Sequence, residues 1–345
     1  MMPNIDDRRS SLLSKLDDNR IYILFGLVFL TMSLFAPRFF NLFNLTTITR
    51  TAAMNATIAI GFCIILITAQ LDLSVGAIAT FAAVVALGTK ETLGYPLSVP
   101  LGILSGSFVG LINGLFVTKL KIHSFIVTIG MLTILQGVIF TVTGSNVISL
   151  STPDAFAVAD FLARPILPLL SPRVVILILL VVGVELFLRR TQVGRNFFLV
   201  GGNKETAWLA GIKSDRYVAG SFVISGTMSA IGGVLFAMES SAATLNLGDN
   251  SLLYVVAAVI IGGTSMAGGK GSVVKTFVAV LTLEVLYTGI ILFGLGNEVK
   301  IFVAGLILAV VVLYEAYANW SHDKKVGQRP ELLKELETRG EASPS

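Results

Sequence analysis

The chain has 345 residues, of which 54% are hydrophobic and only 13% are charged. A soluble domain carries roughly 25% charged residues, so this composition excludes a soluble enzyme and makes the lipid bilayer the expected solvent. The formal net charge of +4 is explained by the Lys and Arg residues that orient membrane helices, and it gives no support for a nucleic-acid partner.

The charges are concentrated in a few places. More than half of them lie in three stretches, at residues 1–20, 189–216 and 321–345. Between these stretches run apolar segments of about the 17–25 residues that cross a bilayer as a helix. We therefore predict an all-α integral membrane protein with ten transmembrane helices, at about 21–36, 46–69, 73–89, 97–118, 125–143, 172–188, 217–240, 251–265, 273–293 and 299–317.

The positive charges predict the orientation of these spans. An even number of spans places both tails on one side, and 19 of the 25 Lys and Arg residues fall there, against five on the other side and Arg50 within the second span. Because cytoplasmic loops are enriched in Lys and Arg, both termini are predicted to be cytoplasmic. The chain then divides into an N-terminal tail (1–20), a transmembrane domain (21–317) and a C-terminal tail (318–345).

The residue types of common catalytic and metal sites are scarce. His123 and His322 are the only histidines, and Cys63 is the only cysteine. We therefore predict no catalytic residues, no metal site and no cofactor bound by this chain. The stretch Gly262–Gly271 partly matches a phosphate-binding loop, but Thr and Gly stand where that loop needs Gly and Ser/Thr. It is predicted to be a compact turn between two spans.

The fourth span carries a glycine at every fourth position, at Gly102, Gly106, Gly110 and Gly114. This stripe has no side chains, so it allows another helix to approach closely. Asn113 lies in the same helix, and a buried amide needs hydrogen-bond partners. We therefore predict close helix packing for the glycines, and we list Asn113 as a candidate for the substrate path.

The segment Gln70–Gly76 separates the second and third spans. Asp72 is placed to accept free N–H groups at the start of the third span. The alternative interpretation is a break within the membrane that contributes Asp72 and Ser74 to a substrate or gating site.

Glu284 is the one acidic residue deep within a predicted span. A charge at that depth costs roughly 2.5–3.5 kcal/mol on insertion scales, so the residue has either a functional role or a structural one as a buried, hydrogen-bonded group. No chain of acidic residues suggests a proton relay.

The internal charged loop contains features of a docking site. Gly201-Gly202-Asn203 predicts a turn, and Asn203 is placed to cap a short helix from Lys204 to Ala210 with Glu205 in its first turn. Ala207, Ala210 and Gly211 put small residues on one side, while Trp208 and Leu209 offer apolar area. Such a helix either docks into a partner's groove or lies on the membrane surface or its own bundle.

Four stretches together resemble the permease subunits of bacterial ATP-binding-cassette importers for ribose, xylose, arabinose and related compounds. They are Leu71–Gly76; Asn113–Gly114 with Ser124–Gly130 and Gln136–Gly137; Gly194–Arg195 through Gly201–Asn203 to Ala207 and Gly211–Ile212; and Ala257–Ser265 with Gly268, Gly269 and Gly271. In order and spacing they cover about residues 45–275. The chain departs from the family pattern at Leu252–Tyr254, where many members carry Glu-Leu-Asp.

The resemblance implies a ten-span permease in the bacterial inner membrane that pairs with a second permease copy, identical or different. An ATPase subunit binds the ATP and drives transport from the cytoplasm, and a periplasmic sugar-binding protein delivers the substrate. It also implies that 189–216 is the coupling loop, with the contact residues Gly194, Gly201, Gly202, Asn203, Glu205, Ala207, Trp208 and Gly211. The candidates for the substrate path or gate are Asp72, Ser74, Asn113, Gln136 and Glu284.

Two alternatives remain open at this stage. The first is an ion-coupled secondary transporter, which usually needs intramembrane acids or unwound ion sites, and for which Glu284 is the only deep candidate. The second is a related permease for nucleosides or branched-chain amino acids, although the stretch Gly262–Ser265 resembles that of the sugar branch.

Overall fold

The computed structural model describes residues 5–296, 298–310 and 312–313. Each of the ten predicted apolar segments overlaps a helix. The elements are α1 (Ile5–Phe35), α2 (Leu42–Ile67), α3 (Val75–Gly88), α4 (Lys90–Leu93), α5 (Tyr95–Lys119), α6 (Ser124–Thr143), β1 (Ile148–Ser149), α7 (Pro153–Ala163), α8 (Pro172–Arg190), α9 (Gln192–Gly202), α10 (Lys204–Leu209), α11 (Ser214–Ser240), β2 (Ala242–Ala243), α12 (Asp249–Ile261), α13 (Val273–Leu292) and α14 (298–310). The predicted C-terminal tail, 318–345, lies outside the described residues.

Five helices are long and apolar enough, by length and composition, to cross a membrane: α2, α5, α6, α11 and α13. Shorter apolar helices cover Asn19–Phe35, Val75–Gly88 and Ser251–Ile261. The chain is thus an α-helical, multi-pass membrane protein. The count of ten spans and the cytoplasmic position of the termini stay predictions.

Helices α2 and α11 form the centre of the bundle, and α11 packs against α2, α3 and α5. The glycine stripe of α5 faces its neighbours directly: a Cβ atom on Gly106 or Gly110 would meet the backbone of α11, and one on Gly102 would meet α3. In α11, Gly226 faces the stripe in return, against the backbone of Gly106. The stripe therefore serves close helix packing, as predicted, because only glycine leaves room for the facing backbone.

Two apolar helices are too short to span the bilayer. Helix α3 has 14 residues and α12 has 13, which gives each a length of about 20 Å against a hydrocarbon core of roughly 30 Å. Their N-termini meet, since a Cβ on either Gly76 or Gly248 would overlap the backbone of the other residue. Residues 68–74 and 244–248 are thus non-helical segments inside the bundle.

The end of α12 and the ends of α2 and α9 form one packed corner. The turn after α12 bonds to α2 through Gly269 N–H and Ile67 O, at 2.9 Å, and the backbone of Gly201 in α9 lies against Ile67. Arg189 at the end of α8 donates to the carbonyl of Gly271 at 2.9 Å. The charge argument predicts that this corner lies at the cytoplasmic face. The prediction that Gly262–Gly271 forms a compact turn is confirmed.

The opposite face carries the strand pair and α7. Strand β1 pairs antiparallel with β2, with Ile148 opposite Ala243. Lys90 donates to the carboxylate of Asp154 in α7 at 2.7 Å, and this hydrogen bond lowers the pKa of Asp154 below its ordinary value. The loop between α6 and α8 is therefore held against the bundle.

Candidate functional site

Asp72 is the centre of a buried polar network at the start of α3. Its Oδ1 accepts hydrogen bonds from the Ser74 backbone N–H at 3.0 Å and from the Ser74 hydroxyl at 2.5 Å. Its Oδ2 accepts from the hydroxyl of Ser225 in α11 at 3.2 Å. The carboxylate therefore binds Ser74, the residue before α3, and not an N–H group within α3. Its bond to Ser225 connects the non-helical segment 68–74 to α11. The predicted cap of α3 by Asp72 is therefore wrong, since no side chain caps that helix. The helices are interrupted at residues 68–74, and a role of this break in a substrate or gating site stays a prediction.

Asn113 extends this network to α5. Its side-chain N–H₂ donates to the Ser74 hydroxyl at 3.0 Å, and the residue is fully buried. Within the described part of the chain its Oδ1 has no hydrogen-bond partner. The predicted candidates Asp72, Ser74 and Asn113, from two separate stretches of sequence, thus form one cluster where non-helical backbone crosses the bundle. Non-helical backbone inside a membrane protein needs hydrogen-bond partners from the protein itself, because lipid supplies none.

Removing the acceptor from this network is expected to destabilise the fold. An Asp72→Leu variant leaves the Ser225 hydroxyl without its carboxylate partner and the Ser74 backbone N–H with none. We expect a loss of about 2–4 kcal/mol, seen as a lower midpoint of heat-induced aggregation in detergent. Asp72→Asn, which keeps one acceptor oxygen, should lose less. Thr133→Val on the exposed face of α6 is the control, and an equal loss there would contradict the assignment.

A cavity of about 330 Å³ lies between α2, α12, α13 and α14. Its polar lining consists of Thr51, Asn55, Ser251, Tyr254, Glu284, Tyr287 and Lys300. Met54, Phe236 and Leu247 supply part of its apolar wall. Ser251 and Tyr254 belong to the first turns of α12. The cavity therefore lies beside the N-terminus of this helix, which is inside the bundle.

Glu284 lies in this cavity and is 4% exposed. The side-chain N–H₂ of Asn55 donates to Glu284 Oε1 at 2.8 Å, which joins α2 to α13. The rings of Tyr254 and Tyr287 pack with their centroids 5.5 Å apart. The Lys300 ammonium nitrogen lies 5.2 Å from the centroid of the Tyr287 ring. The cavity thus combines a carboxylate, an amide, two phenols and an ammonium group.

Glu284 was a candidate from the sequence, whereas the residues that contact it in the cavity were not. Asn55 is a polar residue in the middle of an apolar span, which is itself a signal for function. Tyr254 lies in the Leu252–Tyr254 triplet, where the chain departs from the family pattern. Gln136 is partly buried on α6 and is not among the residues that line the cavity.

The loop 189–216 contains two helices, α9 and α10. The predicted turn at Gly201-Gly202-Asn203 is found only at Asn203, which separates α9 from α10, because Gly201 and Gly202 belong to the end of α9. Within α9, Gly201 packs directly on the backbone of Ile67, where a Cβ would not fit. The prediction of a short capped helix is confirmed: α10 covers Lys204–Leu209, and Asn203 Oδ1 accepts the Thr206 N–H at 2.9 Å.

The predicted contact residues divide into exposed and buried ones. Trp208 is 71% exposed and the neighbouring Leu209 is 73% exposed, and Gly202, Asn203, Glu205 and Gly211 are also exposed. Ala207, by contrast, is buried against Val200 and Phe222, and Gly194 packs on the backbone at Leu188. Gly194, Gly201 and Ala207 are therefore small for the internal packing of this chain and offer little docking surface.

Comparison with known proteins gives a consistent result. Residues 44–312 match the family described as "Branched-chain amino acid transport system / permease component". The chain is 31% identical over 297 residues to the ribose import permease protein of Bacillus subtilis, covering 85% of this chain and 90% of that one. It is 30% identical to the ribose import permease protein of Haemophilus influenzae, covering 87% and 93% of the two chains.

A third relative is the autoinducer 2 import system permease protein of Photorhabdus luminescens, 30% identical over 88% of this chain and 90% of that one. No solved structure gives a significant match. The matched region runs from α2 into α14, so it includes the polar network, the cavity and the loop 189–216. The chain belongs to the family of branched-chain amino acid transport system permease components.

Proposed function

We propose that this chain is the permease subunit of an ATP-driven, binding-protein-dependent importer for a monosaccharide or a related polyol, in the bacterial inner membrane. The observation that carries the proposal is the similarity, over more than four fifths of both chains, to two permeases named for ribose import. In this proposal the chain crosses the membrane ten times, with both tails in the cytoplasm, and the short helices α3 and α12 each complete a crossing together with the non-helical segment that precedes them.

The lining of the cavity favours a hydroxylated substrate over a branched-chain amino acid. Asn55, Glu284 and Tyr287 present hydrogen-bonding groups, whereas an aliphatic side chain is bound best by an apolar wall.

The two opposite faces of the chain each offer a surface for a different partner. An ATPase subunit docks on α10 through Trp208 and Leu209, because exposed apolar side chains on a short helix suit a partner's groove. A periplasmic binding protein docks on the outer face, where α7 and the β1–β2 pair lie. A second permease copy completes the path, lipid surrounds the pair, and the ATPase subunit alone binds ATP. This chain itself catalyses no covalent chemistry.

The packing suggests how motion reaches the membrane. Helix α9 follows directly on α8 and precedes α10, and both Gly201 of α9 and Gly269 of the turn after α12 lie on the end of α2. A displacement of α10 by the ATPase is therefore passed to α2 and α12 together. Since Gly248, the residue before α12, packs against Gly76 of α3, the same displacement reaches the junction of the two short helices.

The proposal is tested by the energy source of uptake. Cells lacking this gene are expected to lose accumulation of labelled D-ribose or a related sugar, and restored cells to regain it. Arsenate, which lowers ATP, should stop uptake, whereas an uncoupler applied while ATP stays high should leave it largely intact. Uptake that stops with the uncoupler and survives arsenate would identify an ion-coupled transporter instead and overturn the proposal.

A further inference from the structure

We propose that the cavity around Glu284 is a binding site for the substrate within the permease itself, selective for a small uncharged compound with several hydroxyl groups. This inference rests on the proposed function and adds to it a location and a chemistry. The site would hold the substrate between its release by the binding protein and its exit to the cytoplasm.

The hydrogen-bonding groups of the cavity are incompletely used by the protein. Glu284 accepts a hydrogen bond from Asn55 at Oε1 and interacts with the hydroxyl of Tyr254, whereas a carboxylate has about four acceptor positions. The hydroxyl of Tyr287 is buried without a hydrogen-bond partner in the described part of the chain. Buried polar groups without partners are costly and uncommon in native proteins. A ligand with hydroxyl groups supplies donors to the carboxylate and a partner to the phenol.

The charges in the cavity favour an uncharged ligand. Glu284 and Lys300 are the ionisable residues of opposite charge in the lining, and together they leave it without net formal charge. A charged ligand would bring an unbalanced charge into a low-dielectric site, which is strongly unfavourable. The rings of Tyr254 and Tyr287 add a flat surface, suited to the C–H face of a sugar or a polyol chain.

Size and position agree with this ligand class. A volume of about 330 Å³ lies at the lower end of the range for small-molecule sites, roughly 300–1,000 Å³. The cavity lies beside the start of α12, a helix that begins inside the bundle. In transporters with discontinuous helices, substrate sites commonly form at such interruptions.

A thiol-protection experiment on the full-length chain in membrane vesicles tests the proposal. Thr51→Cys, at the cavity wall, serves as the reporter in a Cys63→Ala background, because Cys63 is the only cysteine of the chain. Ser240→Cys, exposed at the end of α11 and outside the cavity, is the control reporter. The labelling rate with a small methanethiosulfonate reagent is measured with D-ribose, xylitol, L-leucine or sodium chloride.

D-ribose or xylitol is expected to slow labelling of the Thr51→Cys reporter and to leave Ser240→Cys unchanged. Glu284→Gln should raise the concentration needed for protection by about tenfold or more, since it removes a charge-assisted hydrogen bond. Tyr287→Phe removes only the unpartnered hydroxyl, so it should weaken protection without disturbing the fold. Tyr95→Phe, outside the cavity, is the matched control and should not change protection.

The outcomes separate this inference from the proposed function. If D-ribose and xylitol both leave the reporter unprotected while uptake in cells still requires ATP, the binding site is refuted and the function stands. Protection by L-leucine or by sodium ions, in place of the two hydroxylated compounds, would also refute a polyol site. Protection that survives unchanged in both Glu284→Gln and Tyr287→Phe would show that these residues do not form the site.

Discussion

Replacing Gly76 or Gly248 with alanine is expected to abolish uptake and to reduce the yield of folded protein sharply. The two backbones touch where α3 and α12 begin, and a Cβ on either glycine would overlap backbone atoms of the other. Backbone cannot move aside as the end of a flexible side chain can, so the two helices must separate. Overpacking of this kind costs typically 1–3 kcal/mol and occasionally more, and here it also opens the junction between two buried segments.

The measurement is the midpoint of heat-induced aggregation in detergent, together with uptake in cells matched for the amount of protein. Gly130→Ala on α6 and Gly183→Ala on α8 are the controls, because a Cβ at either position meets no atom within 4 Å. In a helix, alanine is favoured over glycine by up to about 1 kcal/mol, so these variants should be as stable as the original or slightly more so. Normal uptake by Gly76→Ala and Gly248→Ala would show that the two helices are not in contact.

The positions of the helices could be predicted because the bilayer sets a length that a sequence must fill with apolar residues. All ten predicted segments overlap helices, including the short ones. Hydrophobic length does not distinguish a helix that crosses the membrane from one that begins halfway. The meeting of Gly76 and Gly248, which are far apart in sequence, depends on tertiary packing, so the nature of α3 and α12 could not be predicted from a local pattern.

The candidate sites could be predicted only in part, because their residues meet through tertiary packing. A lone acid in an apolar span indicates that Glu284 needs a partner, yet it does not indicate that the partner is Asn55, 229 positions away. Asp72 was predicted as a cap from local spacing alone, whereas its bond to Ser225 depends on the approach of α11. The sequence around Gly201 is typical of a turn, but the residue lies in α9 and is a glycine because it packs on the backbone of Ile67.

Truncating both Trp208 and Leu209 to alanine is expected to lower ATP-dependent uptake by about tenfold to a hundredfold or more without changing the stability of the chain. Both side chains are more than two-thirds exposed, so their removal leaves no internal cavity. If they fill a groove on the ATPase, the lost contacts are of hot-spot size, about 2–4 kcal/mol, and each 1.4 kcal/mol corresponds to a factor of ten.

Three readouts distinguish loss of docking from loss of folding: sugar uptake, co-purification of the ATPase subunit, and the aggregation midpoint. The Trp208→Ala, Leu209→Ala double variant should lose uptake and co-purification while keeping its midpoint. Leu186→Ala, half exposed on α8, should change none of the three, whereas Ala207→Leu should lower the midpoint, because Ala207 is buried against Val200 and Phe222. Full uptake by the double variant would place the ATPase contact elsewhere on the cytoplasmic face.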